Sequence, residues 1–371
     1  MEQGISQSFV TCMAQDKQGF LWIGTYDGLN RYDGSGVTVY RHIPGDDNSL
    51  PDNSIRSLYV DASGLLLVGT KNGGLSAYDR ARDTFHPFPA NHPYPEGKAD
   101  KEIRAIIRDR QDNLWVGGGA GLARLDAATG AAAVVELPGP LNLPDPTPVL
   151  SLHAGLRGEV YAATSQAVYG IAPKTGTATR LLPGKLGTLP PNAQINAIAF
   201  DAPRDLWVLT ELHGAFRCNL DTGRQDRFLP DLATLFAFRD SRDALFIGTN
   251  KGLAHMFPDA ASPGGLRPEI YANNPLDPES LSQNEVICAL EDAGGLLWFG
   301  TYSGGINKLN PAFQNFISYR NHPGVKDSMS GNDVSAVLPG EGDILWVGTR
   351  YHGLNRMNRQ SAVATHFRHD P

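Results

Sequence analysis

Apolar and polar residues alternate along this chain in short runs, and the runs recur on a fixed schedule. Val286-Ile-Cys-Ala-Leu290 and Ile103-Arg-Ala-Ile-Ile107 each precede a polar or glycine-containing turn, such as Asp16-Lys-Gln-Gly19 or Asp292-Ala-Gly-Gly295. Asp early in a turn and Gly late in it is hairpin chemistry. Six residues after the first turn residue stands an apolar or aromatic residue, in most copies followed by apolar-Gly-Thr. The eight copies begin at Trp22, Leu67, Trp115, Tyr161, Trp207, Phe246, Trp298 and Trp346, and the corresponding turns begin at Asp16, Asp61, Asp109, Gly155, Asp201, Asp240, Asp292 and Gly340. The mean period of about 46 residues lies in the range of propellers and solenoids.

Two further runs complete each copy, for example Gly28-Leu-Asn-Arg-Tyr32 with Val37-Thr-Val-Tyr40, and Gly305-Ile-Asn-Lys-Leu309 with Phe316-Ile-Ser-Tyr319. Four short strands per repeat, joined as an antiparallel meander, predict the blade of a β-propeller. Residues 101–110 taken alone also fit a helix, because Ile103, Ile106 and Ile107 share helical spacing. The register across copies assigns them to a strand. Four residues before each turn, the column Cys12, Ser57, Ala105, Ser151, Ala197, Phe236, Cys288 and Ala336 is small in seven cases. Small side chains suit an innermost strand where blades converge. Polar stretches such as 42–50, 274–281 and 322–329 read as crossovers from one blade to the next.

The fold class expected is therefore all-β. Seven blades over residues 1–325 would form a ring, and residues 326–371 would form an eighth repeat beginning a second propeller; the alternative is a closed ring of eight. The tryptophan position predicts packing between neighbouring blades rather than an exposed stacking platform, and the glycine after it predicts close backbone approach.

Composition changes the picture mainly by exclusion. The 41 Gly and 26 Pro fit many turns, and a net charge of −7 without a Lys/Arg run argues against nucleic acid or an anionic membrane surface. No run approaches the roughly 20 apolar residues of a membrane span. Cys12, Cys218 and Cys288 match no zinc spacing and read as small buried side chains, with a single disulfide as the minor alternative. Met-Glu-Gln-Gly-Ile-Ser at the start lacks the regions of a signal peptide.

The candidate chemistry is sparse. Gly117-Gly-Gly-Ala-Gly121 lacks a following helix to hold phosphate. The turn aspartates come one per blade, not converging as calcium ligands do. The ten histidines show no metal-binding spacing, and no nucleophile elbow is present. No cofactor, metal or catalytic residue is expected. The loops between the second and third strands do vary on a repeated scaffold, which is where binding specificity concentrates. Their tips nominate Tyr26, Asp27, Lys71, Asn72, His213, Lys251, Tyr302, Tyr351 and His352 as a ligand face suited to a hydroxyl-rich or charged small molecule or oligosaccharide.

Asp16-Lys-Gln-Gly-Phe-Leu-Trp-Ile-Gly-Thr-Tyr-Asp-Gly-Leu-Asn-Arg-Tyr-Asp33, residues 291–310 and residues 345–356 resemble the two-component regulator propeller repeat. Repeats four to six depart from it: Tyr161-Ala-Ala-Thr164 and Trp207-Val-Leu-Thr210 lack the glycine, and Phe246 replaces the tryptophan. The resemblance implies the extracytoplasmic, periplasmic sensor region of a membrane-spanning bacterial receptor. In that family a second propeller, a dimer partner and a histidine kinase or diguanylate cyclase output lie beyond a region like this one. Both chain ends look cut within a longer array of repeats. The expected function is non-catalytic signal input; a carbohydrate-active lyase or glycosidase and a protein-interaction scaffold are the alternatives.

Overall fold

A computed structural model describes residues 4–88, 101–126, 131–138, 147–155, 158–202, 204–277, 279–311, 321, 324–358, 361 and 363–368, with the side chains of 201 and 202 outside the description. The expected strand Phe316–Tyr319, most of the crossover start at 322–323 and the Asp201 side chain fall outside it.

Eight antiparallel sheets run along the chain, each a meander of consecutive strands. Seven have four described strands, and the seventh in order has three, Val286–Glu291, Leu297–Thr301 and Ile306–Leu309. Residues 103–108 form a strand, as the repeat register demanded. The chain divides into two compact units, Met1–Pro311 and Ala312–Pro371.

Within the first unit the innermost strands are Val10–Gln15, Ile55–Val60, Ile103–Arg108, Ser151–Ala154, Ile195–Ala202, Thr234–Arg239 and Val286–Glu291. Each packs on the next, and the last packs on the first. The ring closes after seven blades, so the eight-bladed alternative does not hold.

The core explains the closure. It is divided into seven interblade clusters, one per joint. Trp22 of blade one lies with Leu50, Ile55 and Val68 of blade two, and Trp115 of blade three lies with Val149 and Tyr169 of blade four. Leu67, Tyr161, Trp207 and Phe246 each enter the joint with the following blade in the same way. Trp298 of blade seven packs among Val10, Met13, Leu21 and Ile23 of blade one. The repeated wedge thus buries apolar surface against whichever blade follows, and after the seventh it finds the first.

The glycine beside the wedge has a matching cause. It pairs across the sheet with the small inner column, as Cys12 with Gly24 and Cys288 with Gly300. A Cβ on Gly24 would lie 2.6 Å from Cys12 Sγ and 2.7 Å from Ile55 Cγ2 of the next blade. Both columns are small because the next innermost strand lies directly over them.

The turn aspartates bind more than their turns. Asp16 Oδ1 accepts from the backbone amides of Gln18 and Phe20, while Oδ2 accepts from Trp22 Nε1 at 2.8 Å and from Arg80 of blade two at 2.6 Å. Asp109 and Asp292 hold Trp115 and Trp298 through the same indole bond, each at 2.8 Å. Burial would raise the Asp16 pKa, but the bonds from Trp22 and Arg80 outweigh it and hold the carboxyl below its usual value. A carboxyl depressed in the folded state contributes stability that is complete above its unfolded pKa, about 3.9, and is lost as pH falls through the folded value. Asp16→Asn is expected to lower the urea midpoint at pH 7 and to flatten the decline of the midpoint between pH 5 and pH 2, compared with the native chain.

All three cysteines are free. Burial pushes the Cys12 thiol up to about 12 and the Cys218 thiol up to about 11.

The second unit carries one sheet, Val334–Pro339, Ile344–Thr349, Gly353–Asn358 and Ala364–Phe367. Its small core is Met329, Val347, Met357 and Ala364. Every residue of its first strand is exposed, Leu338 by 66 %. Trp346 is only half-buried beside Phe367.

Candidate functional site

In a meander the start of the innermost strand, the loop between strands two and three and the interblade crossover share one face. In six of the seven ring blades the first innermost pair is interrupted by a one-residue bulge. The bulged residues are Thr11, Arg56, Arg104, Asn196, Leu235 and Ile287. A bulge leaves one residue out of the ladder and re-aims its side chain, here toward the loop face. Blades two and three supply arginine at this position.

The residue just before the innermost strand belongs to the same face. In blade one it is Phe9 and in blade three Glu102. Phe9 stacks on Tyr26 of its own blade, with ring centroids 4.1 Å apart, and touches Tyr302 of blade seven at 4.3 Å. Tyr26 and Tyr302 are 37 % and 46 % exposed. Arg56 Nη1 donates to the Tyr26 hydroxyl at 2.7 Å, and its guanidinium lies over the Tyr26 ring. The Glu102 carboxylate, almost fully buried, bridges Arg56 Nε at 2.9 Å and Arg104 Nε at 2.8 Å. Four blades, seven, one, two and three, therefore meet in one continuous aromatic and charged cluster.

Of the nominated residues, Tyr26 and Tyr302 come together through Phe9. Asp27 lies beside Tyr26, where its carboxylate is paired with Arg41 at 3.0 Å. Asn72 is tied to the crossover before its blade, donating through both its backbone and side-chain nitrogens to Asp52. Lys71 and Lys251 are exposed; the Lys71 amide donates to the Ser54 carbonyl and the Lys251 amide to Thr249 Oγ1. His213 is partly buried, and its carbonyl accepts from Arg227. Tyr351 and His352 belong to the second unit, where Tyr351 is 71 % exposed beneath Arg350.

Phe9, Arg56, Glu102 and Arg104 escaped the sequence reading. The arginines occupy the polar phase of an alternating strand, where a charge is ordinarily only a solvated face. Phe9 did leave a signal: where blade seven has Leu281-Ser-Gln-Asn-Glu-Val286, blade one has Ile5-Ser-Gln-Ser-Phe-Val10, an apolar departure at a polar repeat position. Among the described residues no group of three or more His, Cys, Asp or Glu is placed to hold a metal ion.

Four segments, residues 4–27, 49–72, 97–120 and 280–303, match the sequence model of the two component regulator propeller family. They fall in blades one, two, three and seven. A stretch of 47 residues, 13 % of the chain, is 51 % identical to histidine kinase P4 of Formosa agariphila, covering 3 % of that protein. The fold is similar to the extracellular domain of a hybrid two-component system from B. thetaiotaomicron, with a TM-score of 0.67 and 22 % identity over 99 % of this chain and 48 % of that one. The chain thus spans about half the length of that receptor domain. It is also similar to virginiamycin B lyase of Staphylococcus aureus, with a TM-score of 0.59 and 14 % identity over 81 % of this chain and 94 % of that one. No helix among the described residues is long and apolar enough to cross a membrane. With the Asp-x-x-Gly turns, the interblade wedges and the matched segments all in one register, this chain is a β-propeller, four of whose repeats match the two component regulator propeller model.

Proposed function

We propose that the chain is the signal-input module of a bacterial two-component-type receptor, lies outside the cytoplasm, and binds its ligand without catalysis on the loop face of the ring. The observation that carries the reading is the Phe9–Tyr26–Tyr302 cluster, in which partly exposed rings from the first and seventh blades share one surface. Aromatic faces on a rigid scaffold suit the apolar face of a sugar or other ring-shaped ligand. The likeness to receptor extracellular domains supports the placement. In this reading the eighth repeat begins a second propeller, which is consistent with its exposed first strand. A dimer partner or neighbouring propeller would read the signal, since a ligand shifts an equilibrium only through differential affinity for two arrangements.

The test is a thermal-shift and calorimetric screen of the purified chain against neutral and acidic oligosaccharides. Tyr26→Ala and Tyr302→Ala are expected to weaken any ligand found at least tenfold, and Tyr351→Ala to change little. Affinity unchanged in both ring variants would remove the loop face as the site, and cleavage products accumulating with turnover would replace sensing by enzymatic activity.

A further inference from the structure

The Arg56–Glu102–Arg104 bridge is more than an ion pair between blades. A guanidinium offers five N–H donors in a planar fork. Among the described residues, Arg104 uses only Nε, toward Glu102, and its side chain is 40 % exposed. Arg56 Nε lies 2.9 Å from the Glu102 carboxylate as an ion pair without hydrogen-bond geometry, and its Nη1 donates to Tyr26. Glu102 therefore faces two guanidiniums, and among the described residues Arg56 Nη2 and both Nη groups of Arg104 donate to no partner. The strand bulges at Arg56 and Arg104 put both side chains on this face, which regular pairing would not do.

We propose that Arg56 and Arg104 form an anion-recognition site, and that the ligand of the loop face is a ring-shaped acid whose carboxylate pairs with the free guanidinium edges beside the Phe9–Tyr26–Tyr302 cluster. This rests on the loop-face reading and narrows it to acidic ligands. Glu102 has two effects in this arrangement. It holds both guanidiniums in place through their Nε atoms, and its own charge opposes the incoming anion at close range. The site is tuned by Glu102 to bind reversibly.

The experiment titrates the whole chain at low ionic strength with tri-galacturonate and with its fully methyl-esterified form, which keeps the rings and removes the charge. The acid is expected to bind at least tenfold more tightly than the ester. Arg104→Gln should bring the two within about twofold. Glu102→Gln should raise affinity for the acid about threefold or more, a gain that a purely structural role for the bridge does not produce. Raising salt should erode the preference for the acid. Equal binding of acid and ester, both weakened by Tyr26→Ala, would overturn the anion site and leave the loop face standing. Binding of either probe that is indifferent to Tyr26→Ala, Tyr302→Ala and Arg104→Gln alike would overturn both. Failure of the acid to bind, or a loss of acid affinity in a folded Glu102→Gln variant, would also overturn the anion site. Where Glu102→Gln fails to fold, the comparison of acid with ester in Arg104→Gln decides alone.

Discussion

Trp298→Ala is expected to destabilise the seven-bladed ring by about 3–5 kcal/mol, the range for truncating a buried Trp, and to unfasten the joint between blades seven and one. That joint differs from the other six. Each of those is also bridged by the chain as it passes from one blade to the next, whereas blades seven and one meet through contacts alone. Trp298 supplies the wedge, with its indole held by Asp292 and its ring among Val10, Met13, Leu21 and Ile23. Other links across it include the Gly305 amide to the Ser8 carbonyl, the Ala293 amide to Gln15 Oε1 and the ring contacts Phe9–Tyr302 and Tyr32–Trp298. Hydrogen exchange should show the loss of protection concentrated in residues 10–15 and 286–291. Trp346→Ala, at the same motif position in the second unit, should cost about 1 kcal/mol or less because that ring is half-exposed. Equal costs for the two substitutions, measured by urea denaturation, would mean that the wedge at blade seven does not close the ring.

The second large effect falls on the glycine beside the wedge. Gly300→Val should cost about 3 kcal/mol or more, at the upper end of overpacking, because the new side chain has nowhere to go. Its Cβ would stand 2.6 Å from Cys288 Sγ and 2.7 Å from Val10 Cγ1, and both neighbours are set in strand backbone. Gly348→Val repeats the substitution in the second unit, where the nearest atom to a new Cβ, on Ala336, lies at 3.7 Å. There the chain should tolerate valine, with a change within about 1 kcal/mol, since a β-branched residue suits a strand. Melting curves of the two variants separate the cases, and a harmless Gly300→Val would show that blade one does not lie over this position.

Much of the fold was legible because the repeat reports its own register. The column of Cys12, Ser57 and Cys288 marked the innermost strands, and those residues lie opposite the glycines that the next blade covers. Residues 103–108 show how the repeat overrides local ambiguity: Ile103, Ile106 and Ile107 fit a helix by spacing, and only alignment with the other copies assigns the strand. The hairpin role of the turn aspartates is local and legible, but the bond of Asp16, Asp109 and Asp292 to the indole six residues on requires the folded hairpin to bring Oδ2 and Nε1 together. Seven blades or eight was open in the sequence. All eight copies carry the wedge position, and closure depends on the angle between neighbouring sheets, which is a sum over many packing contacts.

The candidate site was less legible. Tyr26 and Tyr302 stood out because they vary where their flanks repeat, yet nothing in a chain separation of more than 270 residues says that they meet. Phe9 joins them only because the ring returns blade seven to blade one. Arg56 and Arg104 look like ordinary solvent-phase strand residues until the bulge turns them onto the loop face, and a bulge depends on how the strand pairs rather than on the strand alone.

By itself the sequence determined the all-β class, the four-stranded unit, its register and the wedge that joins one unit to the next, because period-2 alternation and turn chemistry are local and were written eight times. Only the tertiary structure decided that the ring closes at seven and that Phe9, Tyr26, Arg56, Glu102, Arg104 and Tyr302 share one surface. Those outcomes depend on distances between blades, and a distance between blades is set by the packing of the whole ring, which no single repeat encodes.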